Sequence, residues 1–124
     1  MATKTEYSAL QAFTTRDGSQ IKELMHPVQH KTEMGVHAQS LAEASVSIGS
    51  KTQLHRHQTS EELYHISAGT GIMTLAEKSF PVQQGDTICI PPGTAHCIEN
   101  TGTEVLVFLC CCAPAYADSD TELL

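Results

Sequence analysis

Apolar and polar residues alternate over short stretches along most of this chain, and helical spacing is weak throughout. Alternation with a period of two is the pattern of a strand with one buried face. It predicts strands over Ile21–Met25, Gln39–Ser47, Thr52–His57, Leu63–Ser67, Gly71–Leu75, Ser79–Val82, Thr87–Ile90, His96–Glu99 and Val105–Cys112. Between them lie breakers such as "SAGTG", "QQGD", "PPGT" and "NTGTE". Many short strands punctuated in this way predict an all-β sandwich or barrel. Pro81 suits an edge strand or a strand start, because proline cannot donate to a ladder. Both ends are expected to be loosely held, residues 1–15 because they are polar and small, "YADSDTELL" because it is acidic. Leu123 and Leu124 still have the character to dock. The pattern divides the chain into an arm over 1–20, a barrel over 21–114 and an acidic tail over 115–124.

Length and charge narrow the picture. At 124 residues and 13.4 kDa the chain has room for one domain, with a core that needs no disulfides. A formal net charge of −7 and a pI near 5.3 argue against nucleic acid and anionic membranes as partners. The start lacks the apolar core of a secretory signal, and "VLVFLCCCA" is too short to span a bilayer. The expected setting is therefore cytoplasmic. The cysteines are Cys89, Cys97, Cys110, Cys111 and Cys112, an odd number with three in a row. They form neither a disulfide framework nor a zinc ribbon and read as reduced thiols, none of them a metal ligand. On a strand Cys110 and Cys112 share one face and Cys111 takes the other, which turns at least one of them toward the interior.

The densest chemistry lies in "HRHQTSEELYH", from His55 to His65. His55 and His57 share a strand face and Arg56 takes the other. The same parity puts Gln53 and Lys51 on the histidine face. After the turn come Glu61 and Glu62, of which only one can face inward; the spacing does not choose between them. His96 follows the rigid turn at Pro91-Pro92-Gly93. Three imidazoles and a carboxylate converging inside a barrel suit one divalent transition metal.

Two longer patterns contain these residues. Gly49 to Gly69 reads G-SKTQL-H-R-H-QTSE-E-LYHISA-G, and Gly85 to Asn100 reads G-DTICI-P-P-G-TA-H-CIE-N. They resemble the two signatures of the cupin superfamily, G-x5-H-x-H-x4-E-x6-G and G-x5-P-x-G-x2-H-x3-N, at every fixed position. The resemblance implies a double-stranded jelly-roll β-barrel of antiparallel strands. It also implies His55, His57, Glu62 and His96 as metal ligands, Glu62 being the glutamate that leaves six residues before Gly69. With Glu62 inward, Tyr64 and Ile66 also face inward, and Leu63 and His65 face outward. In the hairpin near "LAEKSF", Ala76-Glu77 stands where a pair containing Gly, Asn or Asp would suit a tight turn better.

The fold does not fix an activity, since cupins include dioxygenases, isomerases, lyases, sugar-binding modules and storage proteins. Three histidines and a glutamate leave open positions on an octahedral ion (Fe, Mn, Ni, Zn or Co), where a small oxygen-rich molecule would bind. The expected function is a metal-dependent dioxygenase or isomerase. The alternative is a module that binds or senses a small sugar-like ligand without turning it over. Tyr64 and Gln53 are the candidates for catalytic, substrate-facing groups. Lys51 and Arg56 are too few to make a phosphate site. A homodimer joined through the sheets is the expected assembly. His26, before a proline, is expected to be extended, with a reach over the barrel mouth as the lesser alternative. His30 and His37 are read as solvated, Glu61 and Arg56 as surface charges, and Phe108 as core.

Overall fold

The computed structural model describes residues 3–33 and 35–124; Met1 and Ala2 of the expected arm lie outside the described residues. In chain order the strands are β1 (Phe13–Thr14), β2 (Gln20–Met25), β3 (Ser40–Val46), β4 (His55–His57), β5 (Glu61–Ala68), β6 (Thr70–Leu75), β7 (Lys78–Gln83), β8 (Thr87–Ile90), β9 (His96–Asn100), β10 (Leu106–Ala113) and β11 (Thr121–Leu123). They form a six-stranded sheet, β1-β2-β3-β10-β5-β8, and a five-stranded sheet, β11-β4-β9-β6-β7. Every pairing is antiparallel. The two sheets close into the double-stranded jelly roll. Among the described residues no helix is long and apolar enough to cross a membrane.

The inner face of the six-stranded sheet changes character in steps. Ile21, Ala44, Phe108 and Ile66 stand side by side across β2, β3, β10 and β5, one apolar row. Two residues along, the row is Glu23, Ala42, Cys110, Tyr64 and Ile88. Two further along it is Ser40, Cys112, Glu62 and Ile90. Period-two alternation thus builds an apolar floor and a polar upper end from the same strands. Opposite, β11, β4, β9 and β6 align Leu123, His55, His96 and Leu75. Phe108, Ile66, Met73, Ile98 and Leu106 are buried between the sheets at 1% exposure or less. Burying each such side chain stabilises the fold by roughly 1.5–3 kcal/mol.

One residue of the second signature and one just beyond the first hold the barrel together. Asn100 is buried and donates through Nδ2 to the carbonyls of Val46 and Glu104, both at 2.9 Å, while Oδ1 accepts from Gly102 N–H. Its amide ties β9 to β3 and closes the loop before β10. Gly71 lies where a Cβ would come within 2.3 Å of the Glu99 carbonyl, so glycine alone lets β6 and β9 approach this closely. The β6–β7 hairpin keeps Ala76 and Glu77 by holding Ala76 at φ 55°. That left-handed conformation costs a non-glycine residue about 1 kcal/mol or more.

Both ends depart from the loose arrangement that their composition suggests. Phe13 and Thr14 pair with Ile21 and Gln20. Thr121, Glu122 and Leu123 pair with His57, Arg56 and His55. Strands of two and three residues carry no readable alternation, and acidic residues are depleted in strands, so only the pairing partner reveals them. Strand β4 is also shorter than its pattern: it starts at His55, while Thr52 is buried and Gln53 exposed.

A candidate metal centre in the barrel

His55 and His57 enter from β4, His96 from β9 and Glu62 from β5 on the opposing sheet. All four are buried, with exposures of 3%, 5%, 0% and 4% in that order. One ligand-type nitrogen from each histidine lies within 4.8 Å of the others. Glu62 Oε1 stands 3.1 Å from His57 Nε2 and 3.4 Å from His96 Nε2.

The other ring nitrogens decide what these atoms can do. His55 Nδ1 lies 2.8 Å from the Gln53 carbonyl, and His96 Nδ1 lies 2.9 Å from the Thr94 carbonyl. A carbonyl only accepts, so both Nδ1 atoms carry the proton. Thr121 Oγ1 donates to the Ala117 carbonyl at 3.1 Å, which leaves it to accept from His57 Nδ1 at 2.9 Å. Each imidazole is held by an acceptor at Nδ1, and its Nε2 is left for the interior. Such outer contacts fix ring orientation and raise ligand basicity.

Charge follows from this packing. Burial alone would raise the Glu62 carboxyl, but the facing His57 and His96 outweigh it and hold it down at about 2. Burial lowers His55, and the neighbouring His96 adds to the effect. Burial would lower His57 too, but its hydrogen bond to Glu62 and that carboxylate's charge prevail and raise it. Cys112 is buried beside Glu62, and both burial and the carboxylate push its thiol up. The neutral S–H donates to Glu62 Oε2 at 3.2 Å. Glu62 is therefore gripped at one oxygen and presents the other to the imidazoles.

A cavity of about 50 Å³ adjoins the cluster, walled in part by Tyr64, Cys110, Ala42, Ile21 and Tyr116. The Tyr64 ring centroid lies 5.9 Å from that of His96 and 4.5 Å from that of Phe108. Glu61 and His65 are exposed on the outer face, and His65 Nδ1 pairs with Thr87 Oγ1. Gln53 does not reach the cavity. Strand parity placed it on the histidine face, but β4 begins two residues later and the side chain is exposed. Its contribution is its main chain, which anchors His55 and donates N–H to the Asp17 carbonyl. Arg56 is half-buried against Glu122, its Nη2 3.0 Å from Oε2. His26 is buried and structural: Nδ1 accepts from Val28 N–H and Nε2 donates to the Tyr116 carbonyl.

Several neighbours of the cluster escaped the sequence reading. Thr121 and Tyr116 come from the acidic end, Asp17 from the turn between β1 and β2, and Glu23 from β2. Asp17 Oδ2 stands 3.6 Å from His55 Nε2. One signal was available: Asp17-Gly18, with Gly18 at φ 93°, is a hairpin dipeptide, and it turns β1 into β2 over the cavity.

Two antiparallel sheets closed over three inward imidazoles and a carboxylate define a small barrel of the double-stranded jelly-roll class. The chain belongs to the cupin family, whose domain description, "Cupin domain", matches residues 42–112. It is 54% identical over 121 residues to an uncharacterised protein of Methanocaldococcus jannaschii, covering 98% of this chain and 94% of that one. It is also 34% identical over 94 residues to an oxalate-binding protein of Thermotoga maritima, covering 76% and 77%. Among solved structures the nucleoside dehydratase Pac13 of Streptomyces superimposes with a TM-score of 0.78 at 18% identity, over 100% of this chain and 92% of that one. Oxalate decarboxylase of Lactobacillus farciminis superimposes with a TM-score of 0.79 at 23% identity, over 94% of this chain and 34% of that one. At these identities the two structures share the fold.

Proposed function

We propose that the protein holds one divalent transition metal through Nε2 of His55, His57 and His96 and the carboxylate of Glu62. It uses the ion to bind a small oxygen-rich molecule in the cavity beside Tyr64. The observation that carries this reading is the convergence of three Nε2 atoms whose Nδ1 partners are already committed. His96 Nε2 agrees with it: the atom is fully buried and finds no hydrogen-bond partner among the described residues. A buried nitrogen of this kind calls for a donor or a cation. Iron, manganese, nickel, zinc or cobalt would each accept this donor set, and the bound ion would supply Lewis-acid or, if redox-active, oxygen chemistry.

The Thermotoga relative, named for oxalate binding, supports a small oxygen-rich ligand. Tyr64 supports turnover as well as binding, because it places a buried phenol on the cavity wall beyond the four ligand residues. Dioxygenation and isomerisation are the reactions proposed, with capture alone as the second reading. Metal analysis of protein purified without chelators, followed by oxygen uptake with small diols, keto acids and phenolics, separates dioxygenation, which consumes oxygen, from isomerisation and capture, which do not. Glu62→Gln is expected to lower metal content several-fold and Glu61→Gln to leave it unchanged. The reverse result would move the carboxylate ligand to the other face of β5.

The outer face of the six-stranded sheet supports the homodimer. Leu41, Cys111, Leu63 and Cys89 align across β3, β10, β5 and β8, with Leu41 38% and Leu63 41% exposed. Sedimentation equilibrium is expected to give twice the chain mass of 13.4 kDa. A monomer mass at micromolar concentration would remove the dimer.

A further inference from the structure

We propose that the β1–β2 hairpin makes this cavity selective for a small ligand that brings hydrogen-bond donors, a polyol or an amino alcohol, and unfavourable to a dicarboxylate. The proposal rests on the metal reading for the ligand's other end and is decided by different residues.

Asp17 lies in the turn between β1 and β2. Its Oδ1 accepts from Thr15 Oγ1, from Ser19 N–H at 3.0 Å and from Ser19 Oγ at 2.7 Å. Those contacts fix the carboxylate and leave Oδ2 facing the histidine cluster, 3.6 Å from His55 Nε2. Glu23 is the second group. It sits on β2 beside Ala42, lines the same cavity and is 6% exposed. Its Oε2 is buried and has no hydrogen-bond partner among the described residues. A buried carboxyl oxygen without a donor is costly, and the cavity that Glu23 shares with the histidines could bring one; Glu23 also borders a second pocket beside His26 and Tyr116.

The balance of charge points the same way. A divalent ion on neutral imidazoles is already offset by Glu62 and Asp17, so a dianion would add repulsion without a free cation to answer it. Arg16 is on the rim, but its charge is paired with Asp118: Nε donates to Asp118 Oδ1 at 3.0 Å, and Nη2 to the carbonyls of Asp118 and Thr121. Hydroxyl or ammonium hydrogens would instead satisfy Asp17 Oδ2 and Glu23 Oε2 while an oxygen meets the metal. The size fits a small molecule of this kind: about 50 Å³ corresponds to roughly four waters. Asp17 and Glu23 both precede the residues that match the family, 42–112. The selectivity would therefore come from the β1–β2 hairpin, outside the part of the chain that matches the family description.

Manganese-loaded protein titrated calorimetrically with glycerol, 2-amino-1,3-propanediol and oxalate, molecules of similar size, tests the proposal. At least one of the first two is expected to bind about tenfold more tightly than oxalate, the scale of one charged hydrogen bond. Glu23→Leu should weaken that binding about tenfold, and Asp17→Asn should strengthen oxalate by a similar factor, both with manganese content unchanged. Oxalate binding as tightly as the donor-bearing probes would overturn the proposal. So would variants that leave the ratio of affinities unmoved, failure of all three probes to bind at high millimolar concentration, or loss of manganese in Asp17→Asn, which would make Asp17 a ligand. Should wild-type protein take up no manganese, the metal reading falls separately, and the same ratio in metal-free protein decides this one.

Discussion

Replacing His57 or His96 by alanine is expected to reduce metal content from about one ion per chain to less than about a tenth, with the barrel still folded. Loss of an outer contact to a ligand typically costs 10–100-fold in affinity, and loss of the ligand itself should cost more. The fold survives because its apolar rows lie below the site, around Phe108, Ile66 and Met73. His96 is fully buried, so His96→Ala also opens a void and lowers stability. His96→Gln keeps more of the volume and separates that effect from ligation. A second readout is thermal. Metal in large excess over its dissociation constant should stabilise the wild type by about 4 kcal/mol at a thousandfold excess and the variants far less. Full occupancy in both alanine variants would mean that the ion sits elsewhere or is not bound by this cluster.

Removal of residues 118–124 is expected to lower the melting temperature by about 10–20 °C and metal affinity by about 10–100-fold. The segment is a sheet edge that supports the site. Leu124 N–H donates to the Leu54 carbonyl and Gln58 N–H to the Asp120 carbonyl, both at 2.9 Å. The Asp120 carboxylate accepts from Thr59 N–H at 2.9 Å and from Ser60 N–H at 3.1 Å, which fixes the turn between β4 and β5. Thr121 holds His57 in its tautomer. At about 1 kcal/mol for each net hydrogen bond, and with Leu123 uncovered, the loss comes to about 3–5 kcal/mol. Thr121→Val isolates the contact to His57 and should shift metal affinity with little change in melting temperature. Unchanged affinity and melting in the shortened chain would show that the acidic end is as dispensable as its composition suggests.

Much of the barrel was legible because it obeys a local rule. β3, β5 and β10 alternate more and less buried positions along their length; β5 bears the pattern in sequence, while β10 shows only a continuous apolar run of strand length. β5 puts Glu62, Tyr64 and Ile66 on the inner face and Glu61, Leu63 and His65 outside. Gln53 marks the limit of that rule. Parity holds only along a regular strand, and between buried Thr52 and buried His55 the alternation is broken and no strand is formed.

Local sequence suffices for the strands long enough to alternate, the glycines and prolines that turn them, and the spacing by which two histidines share a face and a third follows a rigid turn. These are interactions between near neighbours, and they repeat at fixed intervals. Tertiary structure alone decided that Glu62 faces those histidines from the opposite sheet, that Thr121 orients His57 from 64 residues away, and that Asp17 and Glu23 close over the cavity. Glu62 and Glu23 stand on readable strands, but Thr121 and Asp17 belong to segments whose own patterns are too short or too polar to show one. They form because the edges of β4 and β3 offer unpaired backbone groups, and a short segment of almost any composition gains by satisfying them.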